Sequence, residues 1–234
     1  MKTLWISALC LCLGGVAFSQ ATVMNDLTGF YDQFAFEKSK GNALNMYGHI
    51  QGTPFLNEVF IPGNVVMNDS VRYSNVSLRY NIYTDKMEFL KEKTQVLELD
   101  IHQHSWRFEM GNAAFVNLPF QLENGIQQNG LLWELCGGNI RLYKKLSVEL
   151  LPATATQGFQ DAQPDRFVRK DDRYFLALPG VTPVVYRSSK ELIESLRTVC
   201  PNVDALVKQH KLKLSKEQDV IRLVQFCNSE MPVN

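Results

Sequence analysis

From Val76 to Tyr83 apolar and polar residues alternate, with Val76, Leu78, Tyr80 and Ile82 set against Ser77, Arg79, Asn81 and Tyr83. A period of two places the first set on one face of a β-strand and the second set on the other, so this stretch predicts a strand with one buried face. Val71 and Tyr73 carry the opposite phase, and a bulge at Ser74-Asn75 reconciles the two runs.

A second β signal lies at 131–148. Gly137-Gly138 can take the positive φ angles of a two-residue hairpin turn. If Cys136 then opposes Asn139, Leu135 meets Ile140 and Trp133 meets Leu142 on one face, while Glu134 meets Arg141 on the other. Further strands are predicted near 58–67, 86–91, 95–101, 105–110, 113–118, 173–178 and 183–187, all joined by connections short enough for an antiparallel meander. Residues 152–172 are polar, hold Gly158 and Pro164, show no period and carry mixed charge from Asp165 to Arg173, which predicts a long solvated loop.

Helical spacing appears at the two ends. Val23, Leu27, Phe30, Tyr31 and Phe34 predict a short amphipathic helix at 23–36. Ser188 with Glu191, and Ser215 with Gln218, read as capping boxes ahead of apolar stripes, and Pro201 separates the first C-terminal helix from a short one at 202–210. The fold class expected is α+β, mainly β: an antiparallel meander sheet, open or strongly curved into a half-barrel, with C-terminal helices. The division is residues 1–19 as a signal peptide, 20–187 as the β-rich domain and 188–234 as a helical appendage packed on it.

Export is expected from the first segment. Lys2 supplies a positive end, Leu4 to Val16 an apolar run, and Ala17-Phe18-Ser19 the small residues read by a signal peptidase before Gln20. The run is shorter than the roughly 20 residues needed to cross a bilayer, and no transmembrane segment is expected in the mature chain. Lys and Arg together number 24, as do Asp and Glu, so the charge balance points to no nucleic-acid partner. Of five cysteines, Cys136, Cys200 and Cys227 follow the cleavage site. An odd number in an oxidising compartment predicts one bridge and one thiol. Cys200 and Cys227 form the predicted disulfide, because both sit at ends of C-terminal helices while Cys136 belongs to the sheet.

Several segments resemble a family of uncharacterised exported proteins of Bacteroidota with a β-rich body and a helical C-terminus. They are Gly52-Thr53-Pro54-Phe55-Leu56, Pro62-Gly63-Asn64-Val65, the run Leu78 to Phe89, Asp172-Arg173-Tyr174-Phe175-Leu176, Val207 to Leu214, and Glu217 to Asn228. The resemblance covers most of the mature chain, implies a periplasmic or cell-surface location and supplies no site residues.

His102 and His104 are the paired histidines, and in a strand they would share a face with Glu98 and Asp100. Imidazole and carboxylate suit zinc, manganese or iron, and Glu109 follows His104 at a spacing that resembles half of a cupin metal motif. Val96 stands where that motif has a glycine, and no second histidine-bearing half follows. Ligands strung along an extended row cannot all reach one ion about 2 Å away, so the expectation is a solvated polar face and turn, with no cofactor. No nucleophile elbow, metalloprotease helix or phosphate loop is present, and no catalytic residue is assigned. The function expected is therefore a non-catalytic binding or structural module of the cell envelope, its partner an envelope protein or small hydrophobic ligand. The alternatives are a carrier of a lipid or other hydrophobe in a curved sheet, and a metal-dependent cupin-like enzyme.

Overall fold

In the computed structural model, residues 35–37, 46–99, 104–155 and 161–231 are described. Among them, thirteen strands precede three helices. The strands are β1 (Ala35–Glu37), β2 (Ile61–Met67), β3 (Val71–Asn81), β4 (Lys86–Lys91), β5 (Gln95–Leu99), β6 (Trp106–Met110), β7 (Ala113–Gln121), β8 (Gln127–Cys136), β9 (Arg141–Lys145), β10 (Val148–Leu151), β11 (Arg166–Arg169), β12 (Arg173–Ala177) and β13 (Val184–Tyr186). The helices are α1 (Ser189–Arg197), α2 (Val203–Gln209) and α3 (Glu217–Glu230). The expected helix at 23–36 lies outside the described residues except at its end, where the chain is extended at Ala35-Phe36 and pairs with β5.

The strands form one large, mostly antiparallel sheet in the order β1-β5-β4-β3-β2-β6-β7-β13-β12-β9-β8, and β7 also pairs with β8. That extra pairing closes β7, β8, β9, β12 and β13 into a five-stranded ring. Each successive strand of the ring runs opposite to the last, and an odd number of alternating strands must close through one parallel contact. The contact is Val184 with Gln121, and the sheet also departs from the expected meander where β1 pairs with β5, β2 with β6 and β9 with β12, strands that do not follow one another.

Alternation along β7 and β8 feeds two cores. Phe115 and Leu131 face the core of the open meander, with Leu78, Tyr80, Phe89 and Phe108. Phe120 and Leu132 face into the ring, where Tyr143, Phe175, Ala177 and Val185 complete a filled interior. Burying each large apolar side chain contributes about 1.5–3 kcal/mol, so the strands that serve both cores are anchored on both faces. A third core lies outside the ring, where α1, α2 and α3 lay Leu192, Leu196, Val203, Leu223 and Val224 over Cys136, Ile140, Leu142 and Leu176.

The bulge at Ser74-Asn75 is present. Gly63 pairs with Val76 and Val65 with Tyr73, so two residues of β3 oppose Asn64 alone, and Asn75 takes φ 59°. The expectation that β3 buries one face fails, because its polar face is covered as well. Residues 54–56 pair antiparallel with the end of β3, Leu56 N–H donating to the Tyr80 carbonyl at 3.0 Å and Ile82 N–H to the Pro54 carbonyl at 2.8 Å, and the rings of Phe55 and Phe60 cover Arg79 on the polar face.

Three other expectations are corrected. In the hairpin, Trp133 opposes Lys144, Glu134 opposes Tyr143 and Cys136 opposes Leu142, with the register shifted at Leu135. The connection is wider than a two-residue turn because the side chain of Asn228 from α3 fills it. Its Nδ2 donates to the carbonyls of Gly137 at 3.2 Å and Ile140 at 2.8 Å, and its Oδ1 accepts from Ile140 N–H at 2.7 Å. Cys136 consequently packs under the helices rather than on the face of Glu134 and Arg141. The segment 152–172 is not a plain loop, since β11 lies within it and pairs with β10, and Phe167 packs against Tyr47 and Tyr83. Finally, Ser188 caps α1 by accepting from Glu191 N–H at 3.2 Å, but the cap position of α3 falls on Lys216, one residue after the expected Ser215, with no side-chain cap.

Candidate functional site

Two lysines end β9, and the pleat sends them to opposite sides. Lys145 points toward the ring interior. Its Nζ lies 2.5 Å from Asp85 Oδ1 and donates to the Leu131 carbonyl at 2.9 Å, while the Tyr80 hydroxyl donates to the same Asp85 oxygen at 2.7 Å. Burial pushes the Lys145 ammonium below its ordinary range, and the Asp85 charge opposes that shift. Gly130 is required beside this cluster, since a Cβ there would strike the Asp85 carboxylate and sit 3.1 Å from Lys145 Nζ. Tyr80 and Lys145 are buried in this cluster, and Asp85 is its partly exposed member.

Lys144 points outward, toward the helices, and there the structure opens a cleft. β8, β9, β12 and β13 set Trp133, Lys144, Tyr174 and Tyr186 side by side in register. Lys144 Nζ lies 4.4 Å from the centre of the Trp133 ring, an attractive cation–π contact. Glu217, the first residue of α3, accepts from Lys144 Nζ and from the Tyr174 hydroxyl at 2.8 Å each. A carboxylate in that position is also favoured by the N-terminal end of the helix dipole. Asp172 lies 3.9 Å from Lys144 and accepts from Arg169 at 2.6 Å.

Tyr174, Glu217 and Asp172 of this network line a cleft of about 440 Å³, with Glu123, Tyr186 and Arg187 among its other walls and Lys144 behind them. The Tyr174 and Tyr186 rings stand 6.2 Å apart at 36°. Burial first, then the hydrogen bond and charge of Glu217, hold the Tyr174 phenol protonated far above neutral pH. Burial and the Glu217 charge do the same for Tyr186. Both tyrosines are therefore neutral donors with aromatic faces, unsuited to act as phenolate nucleophiles. Among the described residues, no histidine or cysteine lines the cleft. Donors, acceptors and aromatic surface on a fixed frame equip it for binding.

Of the residues proposed from sequence as metal ligands, Glu98, His104 and Glu109 are described, and each has other neighbours. Asp100 and His102 lie outside the described residues. Glu98 sits on β5, opposite Glu88 and Phe36, with β4, β3 and β2 between it and β6. His104 is hydrogen-bonded to Asn68 at 3.4 Å and meets the edge of Trp106. Glu109 accepts from Arg72 at 2.6 Å and from Asn64 at 3.1 Å. Burial pushes its carboxyl up, but these hydrogen bonds and the Arg72 and Arg107 charges outweigh that and leave it below the ordinary range. Among the described residues, no group of three or more His, Cys, Asp or Glu side chains is placed to hold a metal ion.

Lys144, Tyr174, Tyr186 and Glu217 were not picked out from the sequence. The available signal was Lys144-Lys145 itself, since two adjacent lysines in the run Leu142 to Leu146 must send one charge to each face of a strand, and each then needs a partner. Comparison with protein-family models, with curated proteins and with solved structures gives no match to this chain.

Proposed function

We propose that the mature chain is an exported, non-catalytic binding module of the bacterial envelope that meets its partner at the cleft between the sheet and α3. The observation that carries this reading is the hydrogen-bonded pair Glu217 and Tyr174 on the cleft wall, held from behind by Lys144, with Tyr186 and Arg187 also lining the cleft. A prearranged polar cleft orders few additional side chains on association, which favours binding. The mixed-charge segment Asp165 to Arg173 contributes to the same place, because Asp172 and Arg173 line the cleft. The signal-peptide pattern of residues 1–19 supports the location. A hydrophobic cargo inside the ring is less favoured, since Phe120, Tyr143 and Phe175 already fill that space.

A photoactivatable side chain at Arg187, with a control at the exposed β4–β5 turn residue Lys93, tests the reading in intact cells. A discrete adduct from position 187, absent from position 93 and weakened about tenfold by Tyr186→Ala, is expected. Equal labelling from both positions, or no adduct at 187, defeats it. Fractionation and N-terminal sequencing test export separately, the expected first residue being Gln20.

A further inference from the structure

The three cysteines after the expected cleavage site all lie in the core beneath the helices, but only two of them face each other. Cys200 follows α1, at the turn that leads into α2, and Cys227 lies in the last turn of α3. Each is at most 1% exposed and carries a free thiol in the structure, and each lies near enough to shift the other's titration. Cys200 Sγ is also 3.9 Å from Glu230 Oε2, and Asn202 donates to the same carboxylate oxygen at 3.5 Å, which ties the α1–α2 turn to the end of α3. Cys136 has different neighbours: its thiol donates to the Gly137 carbonyl at 3.4 Å and interacts with the Asn228 side chain.

We propose that Cys200 and Cys227 are joined as a disulfide in the exported protein, a covalent tie between the α1–α2 turn and α3 that leaves Cys136 as a thiol. The proposal rests on the export reading, which supplies the oxidising compartment. The step balances as an exchange. A thiolate of one cysteine attacks a disulfide oxidant, either a dithiol–disulfide oxidoreductase or a small disulfide such as oxidised glutathione, and releases one thiol of it. The second cysteine then attacks the mixed disulfide and releases the other thiol, so two protein thiols are oxidised, one oxidant disulfide is reduced and no net proton is produced. Burial pushes both thiols above their ordinary range, which disfavours the attacking thiolate once the helices have docked. Formation therefore belongs to folding, before α3 closes over Cys200. The folded, reduced protein should react slowly with oxidant.

The tie has a consequence for the cleft. Glu217 begins the helix that Cys227 ends, so the bridge would fix the element that supplies the acceptor to Lys144 and Tyr174.

Two arms test the proposal. Protein isolated from its own envelope with thiols blocked at lysis should yield a linked Cys200–Cys227 peptide and an alkylated Cys136. Reduced protein made in the cytoplasm of a laboratory host and refolded with oxidised glutathione should give the same pairing, whatever the outcome for export. Oxidised protein should melt about 6–12 °C higher than reduced protein, Cys227→Ser should abolish the difference, and Cys136→Ser should preserve it. Three alkylated thiols after refolding, or a bridge that includes Cys136, would overturn the proposal. A bridge that forms on refolding but is absent from envelope-derived protein would also overturn it, whereas protein recovered only from the cytoplasm would count against the export reading and leave the refolding arm to decide the pairing.

Discussion

Arg79 and Glu88 are an ion pair with almost no exposure, 4% and 0%, which makes them informative about what single residues contribute here. Removing two charges from water is costly unless each polar atom finds a partner. Arg79 donates from Nε and Nη2 to one Glu88 oxygen at 3.0 and 2.6 Å, and from Nη1 to the Glu58 carbonyl at 3.2 Å. The other Glu88 oxygen accepts from Asn81 at 3.0 Å. Phe55 and Phe60 have ring centres 3.8 and 4.2 Å from the Arg79 guanidinium carbon. Glu88→Ala leaves that guanidinium buried without its counter-charge and should cost about 3–5 kcal/mol in urea unfolding. Arg79→Leu with Glu88→Leu removes both charges together and should cost less than Glu88→Ala alone. A double variant as unstable as the sum of its singles would show that packing, not charge compensation, sets the energy. Arg79 was legible as a polar position on β3, but its burial was not. The covering residues Phe55 and Phe60 reveal their place over Arg79 only through tertiary contact.

At the scale of elements, the parts best read from sequence were those fixed by local rules. The β3 bulge follows from a phase change within the strand, and the α1 cap from a serine three residues before a glutamate. The hairpin register was missed because its determinant lies far along the chain, in Asn228. Gly138 is suited to the opened turn, with φ 124° and no room for a Cβ, which would come within 2.7 Å of the Asn228 amide. Asn228→Ala should cost about 2–4 kcal/mol, since it removes three hydrogen bonds and leaves the Ile140 N–H without its acceptor. Hydrogen exchange at Ile140 should accelerate far more than at Leu132, which lies inside the ring. Unchanged protection at Ile140 would mean that the turn holds its shape without the plug. The strand β11 escaped notice for a different reason. It is only Arg166-Phe167-Val168-Arg169, too short for a period and flanked by charge.

For the whole molecule, a mainly β architecture with C-terminal helices was readable, whereas ring closure was not. Closure depends on one contact between β13 and β7, strands distant in sequence, and no local pattern encodes it. The candidate site was hidden for the same reason, because Lys144, Tyr174 and Glu217 meet only when the ring and α3 are both in place. The helical segment is consequently expected to be part of the fold rather than a separable appendage. Without residues 188–234 the chain would expose Cys136, Ile140, Leu142 and Leu176, which are now 7% exposed or less, and Lys144 would lose its 2.8 Å partner. Losing several buried apolar contacts at about 1.5–3 kcal/mol each removes as much free energy as a domain has to spare, about 5–15 kcal/mol. A chain of residues 20–187 should therefore bind a hydrophobic dye and unfold without a cooperative transition. Supplying residues 188–234 as a separate polypeptide during refolding should restore the transition, since the interface is apolar and Asn228 can still seat in the hairpin. A cooperative melt from residues 20–187 alone, at the temperature of the intact protein, would show that the β-rich body folds by itself and that the helices are the dispensable part.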